Sequence, residues 1–270
     1  MTNDGWQTAY NGSGQWKMDD AQLTMDPEQI LVYLRESASS TILKKEGFMK
    51  KGKIGLPELG RRYRRLYTGV VADILDSKGV RAHSLPPAIR PMKDPMKVAG
   101  PAFTCLGVQT GEIKSDDTPM LIKMLEAVTP HCVVVLSASG DRSSSHWGEI
   151  MTLSAKQKGS TGAVVDGGLR DAPFILKLNF PVFTDFYLPA SSISRWELKE
   201  FQGVLKVGEV SVYPGDYVFG DMDGVVVIPQ GLTEEVLVEA EKAVQREQKM
   251  RHALRKGMPL HEVNKKFGPF

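Results

Sequence analysis

Residues 137–174 read SASGDRSSSHWGEIMTLSAKQKGSTGAVVDGGLRDAPF, and their order decides the fold class. A β-branched run, CVVVL, enters a loop of small residues. EIMTLSAKQKG then carries helix formers up to Gly159, and TGAVVDGG is a second apolar strand ending on two glycines. Strand, loop, helix, strand is the repeating unit of an α/β fold. In an open α/β sheet, ligands gather beyond the carboxyl ends of the strands, so the loop after Leu136 and the turn after Val165 are expected to face one crevice.

The alternation extends outward from this stretch. KVAGPAFTCLGV reads as a strand and PMLIKMLEAV as a helix; FPVFTDFYLP reads as another strand. VLKVGEVSVYPGDYVFGDMDGVVVIP is β-rich, with turns at Pro214-Gly215-Asp216 and Asp223-Gly224. A charged amphipathic helix is expected over Thr233 to roughly Arg255. Upstream, ELGRRYRRLYTGVVADILDSKG is expected to form a helix with Leu66, Val70 and Ile74 on one face and Gly79 as its stop. Residues 1–60 contain a Gly/Ser/Asn-rich start, a helix through PEQILVYLRESA and the basic KKEGFMKKGK, and read as an arm. Residues 61–270 read as one domain with a C-terminal helix.

The composition bounds the function only loosely. The chain of 270 residues is 41% apolar and 24% charged with a formal net charge of +2, so no global field singles out nucleic acid or a membrane as partner. Cys105 and Cys132 both sit in apolar runs and match neither a zinc motif nor a disulfide framework. The first residues carry no apolar leader and no stretch is long enough to span a bilayer, which makes the cytoplasm the expected location.

The candidate chemistry lies in the two loops. Gly140 and Ser143 to Ser145 leave backbone N–H groups uncovered just before a helix, whose N-terminus is expected to hold an anionic group. Glu149 in the first turn is equally well read as a capping acid. Gly167 and Gly168 permit close approach of backbone to a ligand, and Arg170 and Asp171 follow at once. Asp171 suits a hard divalent ion such as Mg²⁺ or Mn²⁺, and Arg170 suits a developing oxyanion; an isolated Arg-Asp pair is otherwise a surface ion pair. An unperturbed histidine titrates near neutrality, so His146 is a candidate proton shuttle, or an ordinary packed histidine.

The run WGEIMTLSAKQKGSTGAVVDGGLRD resembles the 4-hydroxy-4-methyl-2-oxoglutarate/4-carboxy-4-hydroxy-2-oxoadipate aldolases and their relatives, the regulators of ribonuclease E activity. An acid, twenty intervening residues and Arg-Asp are the hallmark of the enzymes, met here by Glu149, Arg170 and Asp171 with Glu in place of Asp. PGDYVFGDMDGVVVIP is similar to a second element of the same family. The resemblance implies an α/β/β/α sandwich of the swivelling-domain kind, here with an N-terminal helical arm, assembled as a homotrimer or homohexamer with active sites between subunits. It further implies Asp171 as the ligand of Mg²⁺ or Mn²⁺, Arg170 on the keto-acid oxygens, Glu149 contacting the metal through water, and the amides of Gly148, Glu149 and Ile150 on the substrate carboxylate.

An acid or base from a neighbouring subunit is also expected, for which the last helix offers Glu247 and Glu241, although either one alone reads first as a solvated residue with i,i+4 partners. Besides Glu149, the chain departs from the family in three further places. Asp117-Thr118 stands where Asp-Asn is usual, so Thr118 takes a substrate-contacting position; Phe174 replaces an acid; and TDFYLPASS, with Asp185, replaces a Gly-rich stretch containing Arg. The expected activity is metal-dependent cleavage of a 2-oxo acid, by retro-aldol release of pyruvate or by oxaloacetate decarboxylation, both through one metal-stabilised enolate. The alternative is a non-catalytic regulator of the ribonuclease E kind.

Overall fold

A computed structural model describes residues 9–11, 15–17, 54–111 and 118–269. The expected helix through PEQILVYLRESA lies outside the described residues, as does Asp117. The chain forms two compact units, residues 1–52 and Lys53–Phe270. In the first, β1 (Ala9–Asn11) pairs antiparallel with β2 (Gln15–Lys17).

The second unit is built on a nine-stranded mixed sheet. Its strands are β3 (Arg90–Pro91), β4 (Val98–Gln109), β5 (Val133–Ser137), β6 (Ser145–Trp147), β7 (Gly162–Leu169), β8 (Val182–Tyr187), β9 (Trp196–Phe201), β12 (Tyr217–Asp221) and β13 (Gly224–Ile228). The main path runs β13-β12-β4-β5-β7-β8-β3, with β9 on β4 and β6 on β7. The pairs β4-β5, β5-β7 and β7-β8 are parallel, joined through helices, as the strand-helix-strand reading of residues 132–167 requires. The sheet curls until it nearly closes: β3 lies beside β12 and β13, and the Arg90 guanidinium donates to the Asp223 carbonyl.

The curl follows from alternation, because a strand sends successive side chains to opposite faces. Val133 and Val135, Val164, Phe183, Val218, Val225 and Val227 point into the curled interior. A ribbon of β10 (Leu205–Val207) and β11 (Val210–Val212) adds Leu205, Val207, Val210 and Val212 to the same cluster. The intervening residues face outward into two helix layers. Val134, Leu136, Ala163 and Val165 pack under α3 (Thr118–Ala127), α4 (Glu149–Gln157) and α5 (Ala172–Lys177). Tyr217, Phe219, Val226 and Ile228 pack under α1 (Leu56–Tyr63), α2 (Thr68–Ser77) and α6 (Thr233–Arg255). Helix layer, two facing sheet halves and helix layer make the α/β/β/α arrangement.

The single helix expected over ELGRRYRRLYTGVVADILDSKG is two, α1 and α2. The break has a capping reason: Asp221, from the GDMDG turn, accepts the Thr68 amide at 2.9 Å and the Thr68 hydroxyl at 2.7 Å, so a new helix starts at Thr68. Leu66 and Val70 are buried as expected, Ile74 is half-buried, and Gly79 follows the helix end with φ 79°. Asp216 of the PGD turn accepts the Tyr213 and Gln230 amides at 3.1 and 3.0 Å. Asp216 and Asp221 of this second motif therefore hold turns and helix starts. A final helix, α7 (Leu260–Phe267), folds back on α6 and was not expected from the sequence. Both cysteines are free and buried, and no helix among the described residues is long and apolar enough to cross a membrane.

Candidate active site

Short β6 sets the site. It runs parallel to the end of β7, with Ser145 opposite Gly168 and Trp147 opposite Leu169, so the residues that leave these strands emerge side by side. Gly148 and Glu149 follow β6 into α4; Arg170 and Asp171 follow β7 into α5. The Arg170 amide donates to the Trp147 carbonyl at 3.1 Å, fastening the two exits together.

Asp171 sits in the left-handed region (φ 61°, ψ 24°), which Asp tolerates better than most residues. That backbone turns its carboxylate away from its own helix and toward α4, where Oδ2 accepts the Glu149 amide at 3.1 Å. The acid thus complements the positive end of α4. Arg170 Nε lies 3.7 Å from the same oxygen, with both side chains partly exposed, which is a loose ion pair with guanidinium donors left toward solvent. Gly148 lets the carboxylate lie close: a Cβ on it would stand 2.7 Å from Asp171 Oδ2. Gly148, Glu149, Ile150, Arg170 and Asp171 are therefore neighbours, with Ile150 largely exposed.

The remaining candidates lie elsewhere or outside view. Thr118 opens α3, and its side chain is outside the described residues. Glu247 is on α6, in the opposite helix layer of the same chain, hydrogen-bonded by the Tyr67 hydroxyl and paired with Arg251 at 2.5 Å. Glu241 pairs with Arg62. Phe174 is exposed on α5. Asp185 pairs with Arg142, whose guanidinium also lies 4.4 Å above the Phe186 ring. The loop after β5 thus supplies a cation to Asp185 that the local sequence around Asp185 lacks.

Two expectations about the loops need correction. Gly167 and Gly168 make room for protein, not ligand: a Cβ on Gly167 would stand 2.5 Å from His146 Nδ1, and one on Gly168 2.6 Å from the Phe186 ring. The amides of Ser143 and Ser145 are also taken, by Asp141 Oδ1 at 3.0 Å and the Ala190 carbonyl at 2.9 Å.

The hub is Asp141, whose side chain is fully buried together with that of His146. It accepts from Gln109 Nε2 at 2.8 Å, from the Ser143 and Ser144 hydroxyls at 2.7 Å each, and from His146 Nε2 at 2.8 Å. Burial alone would raise its pKa, but the donors from Ser144, Ser143 and Gln109 outweigh it and hold the carboxyl well below the usual range. His146 Nδ1 accepts the Gly168 amide at 3.0 Å, which assigns the ring proton to Nε2. Burial lowers the His146 pKa against the opposing pull of Asp141, so the ring is neutral. With both nitrogens engaged and no exposure, His146 is the packed histidine rather than a shuttle; it ties the start of β6 to β7. The Asp-x-Ser signature at Asp141 and Ser143 is the sequence trace of this turn.

Asp166, at the end of β7, has its carboxyl pushed up by burial and by nearby Asp185, against a hydrogen bond from Ser137 at 3.2 Å. No group of three or more His, Cys, Asp or Glu among the described residues forms a metal cage.

Comparison with known proteins places these features in a family. Residues 68–227 match the RraA-like family model, described as Aldolase/RraA. The chain is 33% identical over 181 residues to a Halalkalibacterium halodurans protein named "Putative 4-hydroxy-4-methyl-2-oxoglutarate aldolase", covering 67% of this chain and 81% of that one. It is 28% identical over 213 residues to Protein DlpA of Legionella pneumophila, covering 78% of this chain but only 34% of DlpA. The crystal structure of Streptomyces coelicolor RraAS2, an unusual member of the RNase ES inhibitor RraA protein family, superposes with TM-score 0.65 at 29% identity, covering 75% of this chain and 99% of that one.

Proposed function

The chain belongs to the RraA-like family, and from that premise we propose that it is a divalent-metal-dependent carbon–carbon lyase acting on a 2-oxo acid. The observation that carries this reading is the convergence of the α4 amide end, Arg170 and Asp171 on the exits of two adjacent parallel strands.

The residues present fit a hard divalent ion of the water-retaining kind. Asp171 is partly exposed and its Oδ1 makes no hydrogen bond among the described residues; Mg²⁺ or Mn²⁺ typically takes one or two carboxylates and keeps several waters. Such an ion supplies positive charge to the oxygens of a 2-oxo acid.

The protein's own groups then account for orientation and charge. The Gly148 and Ile150 amides orient the substrate carboxylate at the positive end of α4, whereas the Glu149 amide, expected to share that role, already donates to Asp171 Oδ2. In the aldol cleavage the C3–C4 bond of a 4-hydroxy-2-oxo acid breaks, the C4 hydroxyl gives up its proton, and the electron pair forms pyruvate enolate; protonation at C3 completes pyruvate. Loss of CO₂ from oxaloacetate leaves the same enolate. Arg170 faces the developing oxyanion with its donor fork, a contribution on the order of 3–4 kcal/mol for one such donor. Glu247 lies in the opposite helix layer from this site, so its part as acid or base belongs to a homotrimer or homohexamer in which it reaches a neighbouring site, while Thr118 contacts the substrate.

The test is pyruvate release from oxaloacetate and from 4-hydroxy-2-oxo acids with Mg²⁺ or Mn²⁺ present. Turnover that is lost on chelation and in a folded Asp171→Ala variant supports the lyase. Absence of turnover with every 2-oxo acid, or undiminished turnover in Asp171→Ala, overturns it and leaves the regulator reading.

A further inference from the structure

The near-neutral total charge conceals a strong local imbalance. Between Lys242 and Lys266 the chain carries eight Lys or Arg and two Glu, a net of +6, which leaves the rest at −4. All eight cations are exposed. Among the described residues only Arg251 has a carboxylate partner, Glu247.

These residues form a projecting hairpin. The first half of α6 packs on the body through Val236, Leu237 and Ala240. Its last turns pack instead on α7, through a separate small cluster of Met250, Ala253 and Val263, with Met258 and Phe267 at its edge. A hairpin with so small a core gains nothing in stability from uncompensated like charges. Attraction to the negative end of a helix accounts for Arg255, Lys265 and Lys266 in last turns. It does not account for Lys242, Arg246 and Lys249, which lie further back along α6.

The distribution of the cations selects the partner. From Lys242 to Arg255 they spread over about 20 Å of helix, the form of a continuous polyanion rather than of a compact acidic patch. Leu254 and Leu260 are the large apolar side chains the hairpin exposes, so it offers no broad apolar face for insertion into a bilayer. The hairpin also lies outside residues 68–227, the part that matches the family model; Glu247, its one residue invoked in the proposed lyase, is left unchanged in the test below.

We propose that the α6-α7 hairpin binds the phosphate backbone of a nucleic acid. Fluorescence anisotropy of a labelled RNA and a labelled DNA of the same mixed sequence, each single-stranded and duplex, tests this with the full chain. About four phosphate contacts give a slope near −3.6 in log K against log[salt], an affinity loss of ~150-fold between about 50 and 200 mM salt. The charge-reversal variant R246E/K249E/R255E/K256E changes only exposed side chains and is expected to abolish binding at the lower salt while leaving circular dichroism unchanged. Preference for RNA or DNA identifies the source of the phosphates. No binding of either nucleic acid at low salt, equal binding by the folded variant, or tighter binding to polyglutamate or to anionic lipid vesicles overturns the proposal.

Discussion

Replacing Asp141 by Asn preserves shape and removes the charge on which the β5-β6 loop is organised. The native carboxylate accepts five hydrogen bonds, from the Gln109 side chain, the Ser143 amide and hydroxyl, the Ser144 hydroxyl and His146 Nε2, with no exposure to water. In the Asp141→Asn variant one carboxylate oxygen becomes an NH₂ group, so donors now face donors. Two arrangements are open, and both fail: an amide toward Oδ1 opposes Gln109 and Ser143, and one toward Oδ2 opposes Ser144 and His146. Bonds to a buried charged group contribute about 1.5–3 kcal/mol each, and breaking a buried charged network costs about 3–5 kcal/mol. That corresponds to a drop in Tm of roughly 10 °C for a domain of this size. Urea unfolding of Asp141→Asn beside the parent chain measures it, with an unchanged m-value showing that the denatured state is the same. A loss below about 1 kcal/mol would refute the placement of Asp141 as the hub.

The remaining predictions concern other links in the same chain. Gly107→Ala is expected to prevent folding or cost several kcal/mol, because a Cβ there would stand 1.9 Å from the Trp196 ring and 2.6 Å from the Glu197 carbonyl; wild-type urea stability would contradict this. Acid should weaken the fold in two steps. His146 is held below its ordinary 6.5 and Asp141 below its ordinary 3.8, so for each the unfolded chain takes up a proton at higher pH than the folded one. Stability is therefore intact above the first value, falls as pH drops through the histidine window, and falls again below the second; a flat urea midpoint from neutrality to about pH 5 would count against the neutral, buried imidazole. Asp221→Asn should cost about 1–2 kcal/mol by weakening the cap at Thr68, read as lower Tm with amide exchange increased first at the start of α2. Arg170→Lys should lower kcat with little effect on stability, since a point charge replaces a donor fork on a partly exposed side chain.

The strands and their faces were legible because alternation is a local property. Val133, Val134, Val135 and Leu136 had to divide between two apolar surfaces, and a strand buried on both faces reads as the continuous run seen there. The pairing of Arg170 and Asp171 with Glu149 was legible through resemblance, since twenty residues of separation carry no geometry by themselves. The Asp-x-Ser signature at Asp141 does not single it out, because a buried hub and a surface turn use the same residues. His146 was ambiguous for a similar reason: its two nitrogens acquire partners only when β6 lies on β7.

The sequence by itself determined the α/β class, the order of strands and helices, and the positions of the two loops that follow apolar strands, since these depend on periodicity and turn chemistry within short windows. Only the tertiary structure decided that the sheet curls on itself, that Asp221 splits one helical pattern into α1 and α2, and that Gly167 and Gly168 accommodate His146 and Phe186. It also decided that Asp171 reaches across to the Glu149 amide. Each of these is a contact between residues distant along the chain, and its free energy exists only once the intervening elements have packed.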